Sequence, residues 1–84
     1  MELIPIKANM TELRLGDYRI LFSYQTPVAM LQEDHTGILG AYKTSKFWST
    51  TTSRHINKWF NERVKPREMG QELFDNLITR IKIN

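Results

Sequence analysis

Eighty-four residues without a cysteine make one small domain that has to be held by hydrophobic burial, since neither a disulfide framework nor a cysteine-based zinc site is available. No apolar run reaches the length of a bilayer-spanning helix, and Met1-Glu2-Leu3-Ile4-Pro5 lacks the basic and apolar regions of a secretory signal, so a cytoplasmic domain with no membrane role is expected. The net charge of +3 hides a polarised chain: Lys43 to Arg67 holds seven bases against one acid, a local +6, and the remainder holds five bases against eight acids, −3.

Taken in chain order, the first half reads as extended. Leu3 to Lys7 and Glu12 to Leu15 are weak strand candidates, because Pro5 suits only a sheet edge and Gly16-Asp17 closes the second as a hairpin-type turn. One of the two is expected to add a strand. Tyr18 to Tyr24 alternates Ile20, Phe22 and Tyr24 against Arg19, Leu21 and Ser23, a period of two with Leu21 as its apolar exception. Gln25-Thr26-Pro27 breaks that run, Val28 to Gln32 resumes it, and Glu33-Asp34-His35-Thr36-Gly37 is a polar connection to a third run, Ile38 to Thr44.

The period changes after Trp48. Ser49 to Ser53 is a hydroxyl run of the kind that caps helices, and beyond it Ile56, Trp59, Phe60 and Val64 share one helical stripe while Arg54, Lys58 and Asn61 face outward. A helix is predicted over 51–63. Pro66 suits the first position of a second helix, predicted over 66–82, with Met69, Leu73, Phe74, Leu77, Ile78 and Ile81 inward and Gly70 amid them. The fold class expected is α+β: one domain, 1–84, with a small antiparallel sheet of three to four strands over about 2–44 and two C-terminal helices packed on one face.

The basic run carries the functional reading. A surface that serves only solubility mixes its signs, because opposite charges four apart on a helix add stability and like charges subtract it. Arg54 and Lys58 are a like-charged pair at that spacing, and acids are almost absent around them. Lys43, Lys46, Arg54, Lys58, Arg63, Lys65 and Arg67 are therefore the candidate contacts to an anionic partner, with Trp48 as the aromatic expected to be exposed and able to stack on a base. The partner expected is nucleic acid, DNA ahead of RNA; the alternative is an acidic surface on a host protein, met by a small inhibitor or adaptor.

Known recognition motifs and catalytic patterns fit poorly. A helix-turn-helix reading would set Glu72 and Asp75 of helix two against phosphates, and Gly37-Ile38-Leu39-Gly40 lies between strands rather than in a KH-type loop. Ser53 and His55 are two apart on a helix and face different ways; His35 beside Glu33 and Asp34 lacks recognised metal-ligand spacing. The expectation is a binding module and not an enzyme, with no catalytic residue, metal or cofactor.

Ser23-Tyr24-Gln25-Thr26-Pro27-Val28-Ala29, Tyr42-Lys43-Thr44 and the segment Trp48-Ser49-Thr50-Thr51-Thr52-Ser53-Arg54-His55-Ile56-Asn57-Lys58-Trp59 together resemble a small uncharacterised domain family that recurs in phage and bacterial sequences. The resemblance covers the middle half of the chain. It implies a phage or mobile-element origin, assigns no activity and no functional residue, and, because Glu62 to Asn84 runs longer than in the short versions of the pattern, leaves the second helix as an addition specific to this chain.

Overall fold

The structure is a computed structural model and describes residues 2–7, 9–24, 26–61 and 64–83. The element order is β1 (Glu2–Lys7), β2 (Met10–Leu15), β3 (Tyr18–Ser23), β4 (Thr26–Asp34), β5 (Gly37–Thr44), α1 (Thr50–Phe60), β6 (Arg67–Met69) and α2 (Gln71–Ile83). The six strands form one sheet in chain order. β1 to β5 are an antiparallel meander, and β6 joins β5 in parallel after the α1 crossover.

This overturns the expected sheet of three to four antiparallel strands. Both N-terminal segments pair, not one of them: β1 lies at the sheet edge, where the missing N–H of Pro5 is tolerated, and Gly16 at φ 57 supplies the left-handed turn that pairs Leu15 with Tyr18. The turn before Gly37 is tied locally, with the Asp34 carboxylate accepting from both the hydroxyl and the N–H of Thr36. Those two bonds, the hydroxyl first, hold the Asp34 carboxyl below its ordinary titration range.

The helices are not on one face of the sheet but on opposite faces. Strand alternation sends Met10, Leu21, Ala29 and Ala41 to one side, where they meet Ile56 and Phe60 of α1, with Leu31, Trp59 and Val64 packed alongside. Leu13, Ile20 and Met30 point to the other side and receive Phe74 of α2, with Phe22, Tyr42 and Met69. Val28 is the extra residue of a bulge between Pro27 and Ala29, which puts two consecutive apolar side chains on the α1 side. Leu21, the exception to the β3 pattern, is fully buried because both faces of its strand are covered.

Helix α1 begins at the N-cap Ser49, whose hydroxyl accepts the Thr52 N–H at 3.1 Å. It stops earlier than predicted, because Asn61 takes the left-handed conformation at φ 54 and returns its N–H to the Asn57 carbonyl. Helix α2 starts later than predicted. Residues 67–69 are extended and add to the sheet edge, and Gly70 precedes the helix, its carbonyl accepting from the N–H groups of Leu73 and Phe74. Met69 therefore reaches the α2-side core from a strand, and Leu73 is more than half exposed. The side chains of Leu77, Ile78 and Ile81 lie outside the described residues.

Candidate nucleic-acid interface

The α1 side of the β5 edge carries the candidate site. Lys43 of β5 pairs across the sheet with Ala29 and, on the other flank, with Glu68 of β6. Together with Ser45, Lys46, Phe47 and the α1 residues Ser53 and Asn57, those two charged groups line an open hollow of about 310 Å³. A second hollow, of about 340 Å³, runs along the outer face of α1 and is lined by Arg54, Asn57, Lys58 and Asn61. Asn57 borders both. Lys43 and Lys46 thus line one hollow, and Arg54 and Lys58 line a neighbouring one that shares Asn57 with it.

Not every candidate joins them. Arg67 pairs in register with Tyr42 and sits two residues before Met69, both of which pack on the α2 side, so its side chain leaves the sheet by the opposite face. Lys65 is exposed in the connection before β6 and lines neither hollow. Arg63 lies outside the described residues. Trp48 is exposed but engaged: its indole N–H donates to Gln71 Oε1 at 3.0 Å, and the Lys46 ammonium lies 4.0 Å from the ring centroid.

The charges of the site differ in kind from those elsewhere. At the β2–β3 end of the sheet, Arg14 pairs with Glu12 and Arg19 with Glu33 at 2.7 Å. Glu12 is itself buried and accepts the indole N–H of Trp59 at 2.8 Å, which fixes the inward pose of that ring. Among the described residues, none of Lys43, Lys46, Arg54, Lys58, Lys65 and Arg67 forms an ion pair. Helix α1 contains Arg54 and Lys58 and no acid, so its formal side-chain charge has one sign, and Lys58 in the last turn complements the negative end of the helix dipole.

Sequence reading missed Phe47. At 72% exposure it is the most exposed large apolar side chain described, and it stands on the rim of the first hollow between Lys46 and Trp48. The signal was present in the chain: a phenyl ring in a short polar connection, out of phase with both the preceding strand and the following helix.

One hydroxyl–imidazole pair has the spacing of a nucleophile and a base, but not the access. Ser23 Oγ lies 3.0 Å from His55 Nδ1 and 3.1 Å from Thr52 Oγ1, all three groups being buried between β3 and α1. The cluster ties helix to sheet. Tyr24 at φ 60 closes the same end, its ring 6.4 Å from the imidazole. His35 lines a mixed-charge hollow of about 300 Å³ with Arg14, Asp17, Arg19, Glu33 and Asp34, and no group of three or more potential metal ligands occurs among the described residues.

The model of a family of unknown function matches residues 1–76 of the 84. The chain belongs to that family, DUF8033. The DUF8033 match is wider than the resemblance carried by the middle of the sequence: it takes in β6 and the start of α2 as far as residue 76, so that part of the second helix is not an addition specific to this chain. Comparison with the curated proteins and with the solved structures finds no match. Among the described residues, no helix is long and apolar enough to cross a membrane.

Proposed function

We propose that this domain binds nucleic acid, without chemistry, through the basic hollows that flank α1. One observation carries the reading: four bases from three separate segments, Lys43, Lys46, Arg54 and Lys58, border two hollows that share Asn57 and have no ion-pair partner among the described residues, whereas Arg14 and Arg19 do. The like-charged pair Arg54 and Lys58, one turn apart on α1, costs a little stability, and contact with phosphates supplies a reason to hold it. The motif resemblance supports a phage or mobile-element origin, which would put the site of action in the cytoplasm of the host cell.

A second reading, docking on an acidic host protein, draws on Phe47, since an exposed aromatic beside cations is what anchors many protein interfaces. The test separates the two. Fluorescent DNA and RNA are titrated at several salt concentrations; if about four phosphates are engaged, the log–log slope on duplex is about −3.6. Arg54→Glu with Lys58→Glu lowers affinity sharply while circular dichroism stays unchanged. No binding at low salt, or affinity indifferent to that double substitution, overturns the proposal.

A further inference from the structure

We infer that the preferred ligand is a single strand, its phosphates held along α1 and one base stacked on Phe47; this rests on the nucleic-acid reading above. The argument begins with the loop that follows β5. Ser45 donates its N–H to the Met69 carbonyl at 2.9 Å, and Lys46 donates its N–H to Thr44 Oγ1 at 3.2 Å. Thr44 Oγ1 in turn donates to Gln71 Oε1 at 2.8 Å, and the same oxygen holds the indole of Trp48. Gln71 is anchored from its other end, donating through Nε2 to the Pro27 carbonyl at 2.8 Å and to Asp75 Oδ1 at 3.2 Å.

Residues on both sides of Phe47 are thereby fixed, and the ring between them is left 72% exposed. A phenyl group held outward on a tied loop gains little in isolation, because its apolar face stays in water. A base face would cover it. In a duplex those faces are stacked on one another and out of reach; in a single strand they are free, and each stack on an aromatic ring strengthens binding without regard to sequence. Trp48 is less suited to the task, since the Lys46 ammonium already lies over its ring.

Charge completes the fit. Lys43 shares the hollow with Phe47, and Arg54 and Lys58 continue the basic path beyond Asn57. A backbone following that path passes Lys43 as its base meets Phe47. Glu68 is the register neighbour of Lys43 on β6 and lines the same hollow, so the path for phosphates leads from Lys43 and Lys46 towards α1, away from that carboxylate.

Phe47→Ala and Phe47→Trp are the variants, and an unstructured oligo-dT, an oligo-rU, a mixed-sequence duplex and heparin are the probes. Phe47→Ala weakens both single strands about five- to a hundredfold and leaves duplex and heparin unchanged. Phe47→Trp restores single-strand affinity, and its added emission is quenched by the oligonucleotides but not by heparin. The salt slope on oligo-dT is about −2.8 where four phosphates are engaged, shallower than on duplex. Oligo-dT and oligo-rU differ only if the site also reads the sugar. Single-strand affinity that survives Phe47→Ala, or falls in equal measure with that for duplex and heparin, overturns the inference while leaving nucleic-acid binding in place. Absence of binding to every probe overturns the broader reading instead.

Discussion

Gln71 shows how much of this molecule rests on pairings that lie far apart in the chain. Its amide accepts from Thr44 and Trp48 and donates to Pro27 and Asp75, so one side chain joins β4, β5, the Phe47 loop and α2. Gln71→Ala leaves the buried Thr44 hydroxyl and Pro27 carbonyl without that amide and is expected to cost about 1–3 kcal/mol, read from chemical denaturation. The same substitution frees Trp48, whose emission shifts to longer wavelength in the folded protein. An unshifted Trp48 spectrum would mean that the loop is held by its backbone bonds alone. None of this was legible in sequence, where Gln71 is an unremarked polar residue. The histidine tells the same story: a partner of His55, Ser23, lies 32 residues away in the chain.

At the scale of elements, what could be read was set by how many residues share a period. β3, β4, β5 and α1 are each long enough to show a periodic or bounded apolar run, and the pattern finds each of them to within a few residues at its ends. β6 has three residues, Arg67-Glu68-Met69, too few for any period, and Pro66 before them reads equally well as a helix start. Its strand character comes from the β5 edge it completes, which is a tertiary cause. Helix α1 was readable at its start for a local reason, the Ser49 cap. Ser49→Ala removes the acceptor for the Thr52 N–H and a hydroxyl partner of Thr52, and should cost about 1 kcal/mol in urea denaturation. Ser49→Asp restores the acceptor and recovers that loss; failure of the aspartate to do so would assign the effect to the hydroxyl chain leading to Ser23 rather than to the cap.

For the whole molecule, the expectation of one covered face failed on a residue that had already signalled it. Leu21 broke the polar side of β3, and a leucine facing that way asks for a cover on both sides. The two apolar clusters that result share β2, β3 and β4, with Leu13 and Met10, Ile20 and Leu21, Met30 and Ala29 serving opposite sides of the same strands. A sheet cannot dissolve on one side only. A chain of this length has about 4–12 kcal/mol in total stability, and emptying the site of fully buried Phe74 should remove about 3–5 kcal/mol of it. Because the strands are common to both clusters, Phe74→Ala is expected to weaken the α1 side as well as its own. Because Trp48 is bonded to Gln71 of α2, the fluorescence is read in a Trp48→Phe background, where Trp59 reports the side away from Phe74; that signal and far-UV circular dichroism should give one coincident transition at lower urea than the same background with Phe74 intact. If the dichroism of α2 were lost first while the fluorescence midpoint stayed where it was, the two faces would be separate folding units. The basic site over α1 would then persist without the second helix.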